Sequence, residues 1–286
     1  MTDRVPMPDG NMARVPNLPQ SGPNLGAAQR SQIGSAWAGS GANYDAVRPS
    51  YPDWCVSWLL GSEPGRRVVE VGAGTGLFTR DLVASGHRVV AVDPSASMLE
   101  VLREQVPGVE QALVGTGETT GLEPIGLDAG AHVDAGANSD AVVAAQAWHW
   151  VDPVAAGAEA ARLTTGSASP ILGLVWNQLD VQVPWVHRLA RIMHAGDVHR
   201  DAEVAAQAGP LWRIEEVRED HWSEELSVEQ VFDLTRTRAY WLRSNQKTRE
   251  RVESNLRWYL HEHLGHKPGE RIEIPYRTLA VRNVRA

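Results

Sequence analysis

The chain has 286 residues and a formal net charge of −8, from 35 acidic and 27 basic side chains, only two of them lysine. That balance excludes a broad nucleic-acid-binding face, which needs clustered Lys and Arg. Hydrophobic residues make up 43%, enough to bury a full core, and the single cysteine, Cys55, excludes an intramolecular disulfide or a cysteine-built metal site.

Residues 1–36 are rich in Pro, Gly, Asn and Ser without periodicity and read as a disordered N-terminal extension. No secretory signature opens the chain, and no apolar run approaches the ~18 residues of a membrane span, so a cytoplasmic protein with no membrane contact is expected. From residue 37 the chain reads as one folded domain to residue 286. Tyr44-Asp45-Ala46-Val47-Arg48-Pro49-Ser50-Tyr51-Pro52 leads into a short amphipathic helix over residues 53–60, with Pro52 and Asp53 suited to its start.

Residues 67–93 are the strongest local signal. Val68, Val69 and Val71 form a β-branched run, Gly72, Gly74 and Gly76 allow a tight turn, and Leu77, Phe78, Leu82 and Val83 have helical spacing. Gly86 suits a helix C-cap, residues 89–92 form a second strand, and Asp93 ends it. This is half of a doubly wound sheet, whose ligands bind beyond the carboxyl ends of the strands. The spacing G-x-G-x-G is not the G-x-G-x-x-G of a dinucleotide fold. An acid, Glu70, stands two residues before the first glycine. It would repel a pyrophosphate and attract an ammonium or sulfonium by about 1 to 4 kcal/mol at contact. A nucleotide-dependent oxidoreductase is therefore the poorer reading.

Residues 94–105 follow as a helix that Ser95 can cap, and residues 109–114 as a third strand ending in Gly115-Thr116-Gly117-Glu118. Residues 119–138, Gly- and Ala-rich, read as an inserted surface loop; its Asp128, His132 and Asp134 are expected to be solvated, not metal ligands. The run Asp140-Ala-Val-Val-Ala-Ala-Gln146-Ala-Trp148-His149-Trp150 suits a central parallel strand buried on both faces and ending in aromatics at the ligand side. His149 is a neutral-capable base there and could accept a substrate proton. A helix over 155–163 and a strand over 171–176 come next. Residues 180–265 form a largely helical arm on the substrate side, with a strand possible over 212–221 and a helix capped by Ser227. His261, His263 and His266 lack the H-x-x-x-H spacing of a helical zinc pair, so no metal is expected. Residues 271–280 alternate and read as a closing edge strand, where Pro275 is tolerated.

The string Glu70-Val-Gly-Ala-Gly-Thr-Gly resembles the first motif of class I S-adenosylmethionine-dependent methyltransferases. The segment from Tyr44 to Pro52, Asp93-Pro94-Ser95 followed by Met98-Leu99, and the strand ending Trp148-His149-Trp150 are similar to the type 11 group, which includes trans-aconitate and ubiquinone-biosynthesis enzymes. The resemblance covers residues 44–177 by motif and the remainder by order and length. It implies a Rossmann-like, seven-stranded mixed sheet with helices on both faces and S-adenosylmethionine as cofactor. Carried over residue by residue, it places Tyr44, Arg48, Glu70, Gly72, Gly74 and Gly76 at the methionine end. Asp93 falls on the ribose, with Pro94, Met98, Gly117, Glu118 and Gln146 at the adenine side and centre. The acidic charge and the Trp-lined strand end point to a small-molecule acceptor, and a monomer or homodimer is expected. A homologue that binds the cofactor without catalysis is the other reading.

Overall fold

The computed structural model describes residues 47–122, 139–194, 202 and 206–286. The N-terminal extension, Tyr44 and most of the 119–138 insertion lie outside the described residues.

The chain runs α1 (Trp54–Leu60), β1 (Arg67–Val71), α2 (Leu77–Ala84), β2 (Arg88–Asp93), α3 (Ala96–Gln105), β3 (Gln111–Val114) and β4 (Ala141–Ala145). Then follow α4 (Pro153–Leu163), β5 (Ile171–Leu179), α5 (Pro184–Ile192), β6 (Trp212–Ser227), α6 (Val228–Arg236), α7 (Ala239–Arg243), α8 (Gln246–Arg257) and β7 (Arg271–Arg285). A short 3-10 turn at Trp148–Trp150 follows β4, and α8 continues as a π-helical turn over Trp258–His263.

The seven strands lie in the order β3-β2-β1-β4-β5-β7-β6. β1 pairs in parallel with both β2 and β4, and β7 runs antiparallel to both its neighbours. The valine-rich β1 is buried along its whole length because helices cover both faces. Strand alternation divides the core accordingly. Val69, Val71, Val142 and Leu174 pack on the α4 side, while Val68, Val143 and Val175 meet Leu59 of α1 and Phe78 and Leu82 of α2. Ser95 accepts from the Met98 N–H at the start of α3, Asp152 caps α4, and Ser227 forms a capping box with Gln230.

The 180–265 span is not wholly helical. β6 occupies sixteen residues of it, well past the ten expected. As an edge strand it carries a charged outer face, so apolar alternation is weak there, and cross-strand ion pairs add to its backbone ladder with β7. Arg282 meets Glu215 and Glu216, Arg277 meets Glu219, and Arg271 meets Glu225. β7 likewise runs on to Arg285 and is an inner strand, not the edge expected from Pro275. Pro275 is accommodated because β5 pairs with β7 only as far as Tyr276. The Pro275 carbonyl accepts from the Asp180 N–H, so its missing donor faces the side where β5 has ended. The arm packs through its own cluster, including Val186, Leu189, Val231 and Leu256 against Ile274 and Tyr276.

Candidate active site

β1 and β4 are neighbours whose connections leave in opposite directions, so a crevice opens beyond their carboxyl ends. Its floor is the turn from β1 into α2. Gly72, Gly74 and Gly76 all have positive φ, and two of them show why glycine is required. A Cβ on Gly72 would lie 2.3 Å from Ala147 Cβ, whereas one on Gly74 would meet nothing nearer than the Met98 sulfur at 3.9 Å. Gly72 lets two strand ends approach; Gly74 leaves its open side to the crevice.

The crevice has a volume of about 90 Å³. Arg48, Glu70, Gly72, Gly74 and Gln146 line it, joined by Tyr51, Phe78 and Asn177, which the sequence reading did not single out. Tyr51 packs edge-on against Phe78 at 4.9 Å between centroids. Asn177, at the end of β5, donates from Nδ2 to the Ser50 carbonyl (2.9 Å) and accepts from Thr278 Oγ1 (2.6 Å). Its own carbonyl accepts from Gln146 Nε2. Gln146 holds φ +56°, a conformation costly for a non-glycine residue and commonest at functional sites. Its Oε1 is buried and has no partner among the described residues. Arg48 donates from Nη2 to the Thr237 carbonyl at 3.0 Å, tying the wall of the crevice to the end of α6.

Glu70 is 1% exposed and accepts from Thr79 Oγ1 at 2.6 Å. Burial pushes its carboxyl up to about 8, more than the Thr79 hydrogen bond lowers it. In the free protein it is therefore largely protonated at neutral pH. A polar Thr79 on the buried face of α2 was the available signal for this pair. Asp93 accepts from the Gly74 N–H (2.9 Å) and the Ser95 N–H (2.8 Å) and so braces the glycine turn and the start of α3 together. Burial raises its carboxyl despite those two bonds. Each oxygen keeps a second lone pair for a ligand donor.

Asp93, Gly76 and the other expected residues lie around the crevice, not in its lining. Pro94 is exposed at the end of β2, and Met98 is buried beneath Gly74. Gly117 packs tightly, with Val151 Cγ1 2.7 Å from where its Cβ would stand. The Glu118 carboxylate accepts from the Asp152 N–H at 2.8 Å and so supports the start of α4. His149 sits on the 3-10 turn, tilted against Trp150, and its Nδ1 accepts from Nε1 of buried Trp176 at 3.4 Å. That bond leaves the proton of the neutral ring on Nε2, so His149 is set up to donate there. His261 and His266 are engaged by the His266 carbonyl and Glu270, and among the described residues no group of three or more His, Cys, Asp or Glu side chains could hold a metal. Nor is any helix among them long and apolar enough to cross a membrane.

A sheet of this order, with a glycine turn and two acids at its switch point, is the architecture of the class I methyltransferases. Residues 69–167 match the family model described as a methyltransferase domain. An uncharacterized methyltransferase of Mycobacterium tuberculosis is 36% identical over 240 residues, spanning 84% of this chain and 91% of the relative. A methyltransferase-like protein of Schizosaccharomyces pombe is 29% identical over 231 residues, spanning 75% and 82%. Among solved structures, a type II methyltransferase from Anaeromyxobacter dehalogenans superposes with TM-score 0.57 at 23% identity over 83% of this chain and 97% of that one, a likeness of fold. The chain belongs to the methyltransferase family.

Proposed function

We propose that the protein uses S-adenosylmethionine to methylate a small-molecule acceptor. The carrying observation is the convergence of the Glu70 carboxyl, the unpartnered Gln146 Oε1 and the open side of Gly74 on one crevice. Two acceptors beside an open backbone fit a ligand bearing an ammonium group, and the arginine Arg48 on the same wall fits its carboxylate. When bound, the cofactor supplies a methyl group already activated on a sulfonium, so the protein's task is positioning and exclusion of water. Asp93 is assigned to the ribose hydroxyls, with Gly117 and Glu118 at the adenine edge and Pro94 and Met98 as walls. Calorimetric titration tests the reading: S-adenosylmethionine and S-adenosylhomocysteine should bind and NAD should not. Binding of NAD alone would overturn it.

Two further outcomes follow from the geometry. Glu70 is raised from 4.5 to about 8 on folding, so its contribution to the free protein's stability is complete below pH 4.5 and lost as pH rises through 8. Across that window it should lower stability by about 1.4 kcal/mol per pH unit. Glu70→Gln should flatten this slope in denaturant titrations at pH 5 and 8 while weakening S-adenosylmethionine binding. An unchanged slope would show that Glu70 is already ionised. For His149, the Trp176 contact supports a positioning role. His149→Ala should then lower kcat/KM less than about a hundredfold, below the usual range of a lost general base. A larger loss, unmatched by Trp176→Phe, would restore the base assignment.

A further inference from the structure

A second cavity opens at the opposite, amino-terminal end of the sheet, with a volume of about 450 Å³. Its wall carries four arginines, Arg66, Arg213, Arg282 and Arg285, and one acid, Glu215, in a protein whose net charge is −8. Glu215 is already committed: it pairs with Arg282 Nε at 2.8 Å, and Glu216 takes Nη2 of the same guanidinium at 2.7 Å. Arg282 is further fixed by the Trp58 carbonyl, 2.8 Å from its Nη1. The other three arginines have no acidic partner among the described residues. Arg285 donates to the Ala161 carbonyl at 3.3 Å and lies over the Trp212 ring. Arg66 and Arg213 take no side-chain hydrogen bond or ion pair among the described residues. Between these cations the surface is apolar, with Leu60 and Ile171 on the wall.

Three guanidinium groups without an acidic partner among the described residues repel each other around one concave space, and only Arg285 is held there, by the Ala161 carbonyl and the Trp212 ring. A multiply charged anion relieves that repulsion and meets forks shaped for bidentate contact with its oxygens. The apolar wall between them suits a carbon body attached to the anion. We propose that this cavity binds an organic anion carrying a phosphate or polycarboxylate group on an apolar body, at a site separate from the methyl-transfer crevice. The two lie at opposite ends of β5, where Ile171 lines one and Asn177 the other, roughly 20 Å apart at the rise of a strand.

The test is calorimetric titration of the full chain, held saturated with S-adenosylhomocysteine so that the crevice is closed to the probe. Pyrophosphate, citrate and hexyl phosphate are the probes, compared with inorganic phosphate. Citrate or hexyl phosphate should bind more tightly than inorganic phosphate, and preference for pyrophosphate over both would overturn the apolar-body assignment. Arg66→Gln combined with Arg213→Gln should weaken the tighter binding by about tenfold or more, as expected for lost charge-assisted hydrogen bonds. Both positions are partly or fully exposed, so the variant should melt as the wild type does. Preference for hexyl phosphate identifies a phosphate on a carbon body, and preference for citrate a polycarboxylate. No saturable binding of any probe, or binding unchanged in the double variant, overturns the proposal.

Discussion

Asp93→Ala is expected to lower affinity for S-adenosylmethionine by at least about a hundredfold. The ribose offers two hydroxyl donors to one buried carboxylate, and charge-assisted hydrogen bonds contribute about 1.5 to 3 kcal/mol each. The structure adds a second consequence. Asp93 also receives the Gly74 and Ser95 N–H groups, so its loss leaves two backbone donors without their acceptor at the mouth of the crevice. The variant should therefore melt earlier as well as bind worse. Asp93→Asn separates the effects, since its one carbonyl oxygen still accepts a single bond. It should recover part of the melting temperature and little of the affinity. Calorimetry with thermal melts of both variants checks this, and an alanine variant that binds the cofactor normally would refute the ribose assignment.

Gly72→Ala should be the most damaging of the glycine substitutions in the turn. At φ +70° a side chain costs about 1 to 2 kcal/mol. The added Cβ would also stand 2.3 Å from Ala147 Cβ, and overpacking of that kind costs about 1 to 3 kcal/mol more. The strain would be relieved by forcing apart the ends of β1 and β4, where the ligand is expected, so binding should fall with stability. Gly74→Ala carries the backbone cost without the clash. It should lose roughly half as much stability, and any loss of binding should come from its new methyl group entering the crevice. Denaturant unfolding of the two variants side by side distinguishes them. Equal losses would mean that backbone conformation, not strand approach, demands glycine at residue 72.

The parallel half of the fold was legible because its strands are buried on both faces and its helices on one. Val68 to Val71 and Ala141 to Ala145 stand out as apolar runs for that reason, and caps such as Ser95, Asp152 and Ser227 mark helix starts by local hydrogen bonding alone. The antiparallel edge was less legible. In β6 the residues Glu215, Glu216, Glu219 and Glu225 read as a solvated charge run until their arginine partners on β7 are known, and those lie more than forty residues away. The glycine turn and its two acids could be picked out from spacing. Tyr51, Phe78 and Asn177 could not be assigned to the crevice, because ordinary core packing would explain the same residue types.

What the sequence determined by itself is the set of local geometries: a strand, a glycine turn that only residues without a Cβ can make, a helix, and an acid at the next strand end. These depend on neighbours a few residues apart, so composition and periodicity carry them. The protonation of Glu70, the bracing role of Asp93, the hydrogen bond from Trp176 to His149 and the arginine cavity at the far end of the sheet were decided only in the tertiary structure. Each depends on burial or on a partner distant along the chain. A carboxyl group's charge follows from the water it has lost, and that loss exists only once the strands and helices have closed around it.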